Sequence, residues 1–197
     1  MSSPDDSTAD PRGQRTITLA HLTVETITAL AAGDRAGAER SSGLPLTDFL
    51  GADRALWVWQ LAVAADLDVE EQSRWLACAV LAGQDQRVVG HAGFHGPPQD
   101  GMVEIGYSID PVHRRLGFGR AVVHALIDAA RGLPTVTRVR ASINRSNVAS
   151  FATIAGLGFV RVGTREVDGG SEVILERPSR RADPAPQGPG NTEGPVC

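Results

Sequence analysis

Hydrophobic and polar positions along the chain change repeatedly between the spacing of a strand and that of a helix. Runs rich in β-branched and aromatic residues, or with apolar residues at alternate positions, predict strands. The predicted strands cover residues 16–19, 75–81, 87–94, 102–109, 135–143, 160–167 and 172–176. Turn-forming residues at 83–86 and at Asp168-Gly169-Gly170 separate neighbouring strands, which predicts two hairpins.

Four helical patterns lie between these strands. Thr23 can cap a first helix that runs through Leu30 and ends near Gly33. A second helical region, interrupted at residues 41–45, continues to Leu61, and later helices are predicted over 121–130 and 146–157. The resulting order, β-α-α-β-β-β-α-β-α-β-β, predicts an α/β (α+β) fold.

Length and composition predict a single domain that spans residues 16–177. The chain has 197 residues, of which 42% are hydrophobic, and this is enough for one core. Residues 1–15 are polar and acidic, and residues 178–197 are poor in large apolar residues. We therefore predict that both tails are disordered.

Charge and cysteine content limit the class of protein. A net charge of −4 gives no reason to expect bulk binding to nucleic acid or to an anionic membrane. Cys78 lies in an apolar run and Cys197 is the last residue, so we expect a buried Cys78 and no disulfide. The N-terminus lacks the layout of a secretion signal, and no apolar run approaches the roughly 20 residues of a membrane span. These features predict a cytoplasmic protein.

The segment Arg114–Arg120 carries the strongest functional signal. It lies between a predicted strand and a predicted helix, and Gly117 and Gly119 let its backbone approach a ligand closely. Its amides, the positive end of the helix dipole and three arginines together predict a pyrophosphate site. A dinucleotide fingerprint is excluded because Val122 occupies the position of the third glycine, and the chain has no Gly-Lys-Ser/Thr run.

Three motifs together identify a family. The Arg-x-x-Gly-x-Gly of residues 114–119, the Glu-Ile-Gly-Tyr of residues 104–107, and Asn147-x-x-Ser150 followed by Gly158-Phe159 occur in the order found in GNAT N-acyltransferases. The chain resembles that superfamily over residues 16–177, most closely the branch of ribosomal-protein N-terminal acetyltransferases. The resemblance implies the GNAT fold, a mixed central sheet splayed between two parallel strands and flanked by helices.

The same resemblance implies a set of cofactor-binding residues for acetyl-CoA. Backbone groups of Tyr107, Ser108 and Ile109 would follow the pantetheine arm, with one amide polarising the thioester carbonyl, and Asn147 would reach the arm from the facing helix. The loop would hold the pyrophosphate through residues Arg114, Arg115, Leu116, Gly117, Phe118, Gly119 and Arg120. Acetyl-CoA would act as co-substrate, and no metal is expected.

Glu104 is the candidate catalytic base because related enzymes often carry a glutamate at this strand position, and an attacking amine must lose its proton. The alternative is that Glu104 makes a structural hydrogen bond. A second base position of the superfamily corresponds here to Ser142, a poor base. Relatives often use a tyrosine as general acid where this chain has Ile154, so protonation by water is the working hypothesis.

Histidines and tryptophans give weaker signals. His91 and His95 share a face of one strand but are about 13 Å apart by strand geometry, too far for one metal ion. His95 is the better candidate for lining an acceptor pocket. Trp57, Trp59 and Trp75 could also wall such a pocket, although their apolar neighbours favour core packing.

These features predict an acetyl-CoA-dependent N-acetyltransferase in which a primary amine attacks directly in a ternary complex. The acceptor would be a protein N-terminus or a small-molecule amine, and a homodimer is possible. The alternative is a non-catalytic acyl-CoA-binding sensor or docking module, which the absence of the usual tyrosine suggests.

Overall fold

The computed structural model describes residues 15–168 and 170–180. Of the two predicted tails, only Arg15 and residues 178–180 lie within the described residues, and Cys197 lies outside them. The predicted Asp168-Gly169-Gly170 hairpin is present as two antiparallel strands that flank residue 169.

A seven-stranded sheet forms the centre of the fold. Its strands are β1 (Ile17–His21), β2 (Cys78–Ala82), β3 (Arg87–Phe94), β4 (Met102–Ile109), β5 (Arg138–Asn144), β6 (Val160–Val167) and β7 (Gly170–Pro178). Seven α-helices accompany them in the described part of the chain. They are α1 (Val24–Ala32), α2 (Arg35–Ser42), α3 (Asp48–Ala52), α4 (Arg54–Ala64), α5 (Val69–Trp75), α6 (Phe118–Arg131) and α7 (Val148–Ile154). None of the helices in the described residues has the length and apolarity that crossing a membrane would require.

The strand order is β1-β2-β3-β4-β5-β7-β6, and every neighbouring pair is antiparallel except β4 and β5. The parallel register joins Met102–Glu104 to Arg138–Arg140 and goes no further. Beyond it, β4 continues to Ile109 beside β3, and β5 continues to Asn144 beside β7. The sheet is therefore splayed between two parallel strands, and the predicted fold class is confirmed.

Two apolar cores lie on opposite faces of the sheet. One packs α6 against the odd-numbered side chains of β4, including Val103, Ile105 and Ile109. The other packs α1 to α4 against β2, with Trp57 completely buried at its centre. Cys78 is buried, as expected, and burial raises the pKa of its thiol to about 11.

The helical region between β1 and β2 differs from the sequence prediction. Five helices occupy it rather than two, and Trp75 ends α5 instead of beginning a strand. The hydrophobic pattern does not indicate the start of α5, but the residues that cap this helix do. Asp68 accepts from the Glu71 amide while the Glu71 carboxylate accepts from the Asp68 amide, which is a capping box.

An ionic cluster holds the end of the sheet where β4 and β5 still pair. Glu176 on β7 is buried and accepts from Arg140 at 2.6 Å and from Arg138 at 3.2 Å. Ser179 follows β7, is buried, and donates to the carbonyls of Val136 and Thr137. β7 and these Ser179 bonds therefore continue past residue 177, where the sequence analysis ended the domain.

We predict that Gly90→Ala strongly destabilises the fold. A Cβ at Gly90 would lie 2.2 Å from the Ser108 carbonyl oxygen, so β3 and β4 would have to move apart. Overpacking of this kind costs about 1–3 kcal/mol or more. Gly51→Ala is the matched control because a Cβ there meets nothing within 4 Å. Urea unfolding should show a large loss of stability for Gly90→Ala only, and equal stability of the two variants would contradict the register.

Candidate active site

The parting of β4 from β5 opens a gap lined by main-chain groups. Bonds from the His95 amide to the Glu104 carbonyl and from the Asp110 amide to the Val89 carbonyl fix which residues of β4 face β3. Because the direction alternates along a strand, Tyr107 and Ile109 point their N–H groups away from β3. These two amides lie beyond the segment paired with β5, so they face the gap.

The main-chain groups of Ser108 point in the opposite direction to those of Tyr107 and Ile109. Ser108 pairs with His91 on β3, so its main-chain groups point to β3 and only its side chain lines the cavity. The sequence analysis assigned backbone groups of all three residues to the cofactor, and for Ser108 the alternation of the ladder contradicts that assignment.

The glycine loop joins β4 to α6 through a short 3₁₀ turn, Pro111–His113. Arg115 and Gly117 both have positive φ, +60° and +86°, and α6 begins at Phe118. Successive N–H groups in such a turn, together with the open N–H groups of the first helical turn, form an anion-binding concavity. A Cβ at Gly119 would contact Thr153 and Tyr107 at ordinary distances, so α6 starts close to both β4 and α7.

The arginines around the loop have different tasks. Arg114 donates to the Ile109 carbonyl at 2.9 Å, and Arg120 donates to two carbonyls at the end of α7. The Arg120 guanidinium therefore connects α6 to α7. The main-chain N–H of Arg120 is the group that could still bind an anion. Arg115 is exposed and makes no hydrogen bond or ion pair within the described residues.

Arg15 is a residue of this loop that the sequence analysis missed. Its Nε donates to the Leu116 carbonyl at 3.1 Å, and its guanidinium lies 6.0 Å from the centre of the Phe118 ring. The sequence places it in the polar N-terminal tail, 101 residues from its partner, so no local pattern signals the contact.

On the far side of the gap, Asn147 caps α7. Its Oδ1 accepts from the Ser150 amide at 3.0 Å, and the residue lines the cavity. Ile154 is buried at the position where relatives often have a tyrosine. The hydroxyl of Tyr107 is buried and has no hydrogen-bond partner within the part of the chain that the structure describes.

A cavity of about 290 Å³ lies between α4 and the parted strands. Its walls include Trp59, His95 and Tyr107, and Asp53 at the start of α4 lies at its edge. The three tryptophans therefore have two different locations. Trp57 and Trp75 are core residues, while Trp59 is 38% exposed and lines the cavity.

Glu104 is nearly buried and does not line this cavity. Its Oε1 lies 3.4 Å from His95 Nδ1 and 3.9 Å from Arg165, with a side chain that is 13% exposed. Burial alone raises the pKa of Glu104, but contacts with His95, with the nearby hydroxyl of Ser142 and with the charge of Arg165 outweigh it. The net effect is a lowered pKa, so the carboxylate is ionised at neutral pH.

His91 also faces the cavity but in an apolar setting. It is 8% exposed, stacks on Phe49 and meets the edge of Trp57. Burial lowers its pKa to about 4, although the charge of Asp53 opposes the shift. The imidazole is therefore neutral at physiological pH. In residues 15–168 and 170–180, no three potential ligands are grouped as a metal site.

A family model for the acetyltransferase (GNAT) domain matches residues 19–160, more than half of the chain. The chain belongs to the GNAT acetyltransferase family. Among curated proteins, this GNAT chain is similar to the uncharacterized N-acetyltransferase YjdG of Bacillus subtilis (strain 168), with 34% identity over 82 residues. That match covers 41% of this chain and 49% of YjdG, so the chain spans about half the length of this curated relative.

Solved GNAT structures share the fold at low identity. The ribosomal-protein-S5-alanine acetyltransferase of Vibrio fischeri superimposes with a TM-score of 0.57 and 16% identity, covering 85% of this chain and 94% of that one. The microcin C7 self-immunity acetyltransferase MccE, solved with acetyl-CoA and AMP, gives 0.56 and 15%, covering 88% and 99%. At these identities the likeness is one of fold.

We predict that His91 makes this GNAT protein less stable as the pH falls from about 6.5 to 4. The folded state keeps the imidazole neutral, whereas the unfolded chain binds a proton below a pKa of about 6.5. The unfolded state therefore binds more protons in this window, and stability falls with pH. His91→Gln should flatten this part of the curve of unfolding free energy against pH. An unchanged slope would contradict the neutral buried imidazole.

Proposed function

We propose that the protein transfers an acetyl group from acetyl-CoA to a primary amine in a ternary complex. The observation that carries this proposal is the gap between β4 and β5, which begins after Glu104 and ends beside the N-terminus of α6. The amides of Tyr107 and Ile109 face the gap from β4, and the cavity between α4 and the parted strands opens onto it. A thioester laid along the gap would present its acetyl carbon to an amine in the cavity.

The residues present fit acetyl-CoA as a substrate. The N–H groups of residues 115–120 and the exposed Arg115 suit a pyrophosphate. The amides of Tyr107 and Ile109 suit the carbonyls of the pantetheine arm, and the buried Tyr107 hydroxyl has no hydrogen-bond partner among the described residues. Ser108 on β4 and Asn147 at the start of α7 both line the cavity.

Positioning accounts for much of the expected rate. Holding an amine and a thioester together can be worth about 7–11 kcal/mol. A fixed amide aimed at the developing oxyanion adds roughly 2.7–4 kcal/mol. In the transfer step the amine nitrogen forms a bond to the acetyl carbon while the carbon–sulfur bond breaks. The amine loses one proton, and the thiolate takes one from solvent.

Glu104 is proposed to drive the loss of that proton. Its carboxylate is ionised at neutral pH and is fixed beside the point where β4 and β5 part. Because it contacts His95, it acts on the cavity through that partner.

The proposed acceptor is an amine at a protein N-terminus or on a small molecule. The solved relatives include an acetyltransferase for a ribosomal-protein alanine. A second candidate function is binding of acyl-CoA without turnover, which is favoured by the buried Ile154 at the usual tyrosine position.

Turnover distinguishes the two functions. We predict that the protein, mixed with acetyl-CoA, releases thiol only when an amine is present. The panel is an alanine-starting peptide, kanamycin and spermidine, with thiol release and product mass as readouts. Cofactor binding by calorimetry without amine-dependent thiol release would favour the sensor, and absence of both would contradict the proposed function.

We predict that Gly117→Leu raises the Kd for coenzyme A at least tenfold. A leucine at φ +86° is strained by roughly 1–2 kcal/mol, and its side chain displaces the amides that hold the pyrophosphate. Gly43→Leu is the matched control because Gly43 also has positive φ, open space around it, and ends α2 far from the loop. Calorimetry should show normal binding for the control, and normal binding by Gly117→Leu would remove the loop from the site.

A further inference from the structure

The imidazole of His95 lies between the Glu104 carboxylate and the cavity. His95 follows the last residue of β3, is 41% exposed on its side chain, and lines the cavity. The side chain of Glu104 is 13% exposed, and Glu104 does not line the cavity. An amine in the cavity therefore meets the histidine before it meets the glutamate.

The position of the ring is fixed from three sides. Nδ1 faces Glu104 at 3.4 Å, and the ring meets Trp59 edge-on at a centroid distance of 5.1 Å. Nε2 lies over Gly106, where an added Cβ would come within 2.4 Å of it. Gly106 is the second residue of β4 beyond the paired segment, so Nε2 stands at the beginning of the gap.

The charges around the ring favour one tautomer. The ionised Glu104 can only accept, so the proton of a neutral imidazole belongs on Nδ1 and the Nε2 lone pair is free. Arg165 on β6 and Glu172 on β7 bind each other at 2.8 Å behind Glu104. The other titratable groups that line the cavity, among the described residues, are Asp53 at the start of α4, the neutral His91 and Tyr107.

We propose that His95 is the catalytic base and that Glu104 is a positioning residue. This assignment rests on the proposed acetyl transfer. As the amine nitrogen bonds to the acetyl carbon and the carbon–sulfur bond breaks, Nε2 takes one proton from the nitrogen. The imidazolium, stabilised by Glu104, then returns that proton to solvent.

The lowered pKa of Glu104 agrees with this division of tasks. A carboxylate held ionised by its neighbours is a weak proton acceptor but a good fixed counter-charge. General bases of this kind typically contribute 10²–10⁴-fold to rate.

The test compares pH–rate profiles of His95→Gln and Glu104→Gln, using the amine of the panel above that the wild type acetylates fastest. His95→Gln should lower kcat by about 10²–10⁴-fold and abolish the rise of rate with pH, with the Kd for acetyl-CoA within twofold of wild type. Glu104→Gln should lower kcat less and keep a rise of rate with pH. His21→Gln, on β1 and away from the cavity, controls for the substitution.

Chemical rescue separates a catalytic from a structural role. Added imidazole should raise the kcat of His95→Ala at least tenfold over its value without imidazole. The site is half exposed, so the added base can occupy the space that the side chain leaves. A pH-dependent rise that survives in His95→Gln but is lost in Glu104→Gln, or no rescue by imidazole, would overturn the assignment while leaving acetyl transfer intact. Absence of turnover in the wild type would instead contradict the proposed function.

Discussion

The rest of the structure depends on how briefly β4 and β5 pair. Their register ends at Glu104 and Arg140, after which each strand follows a different neighbour. The Glu176–Arg138–Arg140 cluster holds the paired end, and the tight contact at Gly90 holds β4 against β3 beyond it. Because β4 and β5 do not pair beyond this point, the main-chain N–H groups of Tyr107 and Ile109 face the gap rather than a neighbouring strand.

The two sides of β4 serve different tasks. Odd-numbered side chains pack beneath α6, and this packing places the helix N-terminus and the glycine loop at the end of the gap. The even-numbered residues Gly106 and Ser108 line the acceptor cavity with α4 and His95, and Glu104 lies behind His95. One strand thereby aligns the proposed thioester site with the proposed base.

Sequence patterns predicted some elements to the residue and missed others. The strands at 87–94 and 102–109 are confirmed at both ends, because long β-rich runs there are bounded by strong turn residues. Of the helices between β1 and β2, α1 was predicted with both of its caps, whereas α2 to α4 were merged into one helical region. The short α5 was missed, although the capping box at Asp68 was readable.

The site was predictable only as far as local motifs reach. The glycine loop and Glu104 follow from sequence, since each belongs to a contiguous motif. The contact between His95 and Glu104, the docking of Arg15 on the loop and the fastening of Arg120 to α7 depend on strands and helices that meet only in the folded chain. No spacing along the sequence encodes those contacts.

Residue-resolved amide exchange by NMR, with and without acetyl-CoA, tests the central claim most directly. The amides of Tyr107 and Ile109 should exchange readily in the free protein and at least tenfold more slowly with acetyl-CoA. Those of Gly106 and Ser108, already bonded to β3, should change little. Equal protection of all four residues, or none at Tyr107 and Ile109 when the ligand is bound, would contradict a gap that holds the thioester through the main chain of β4.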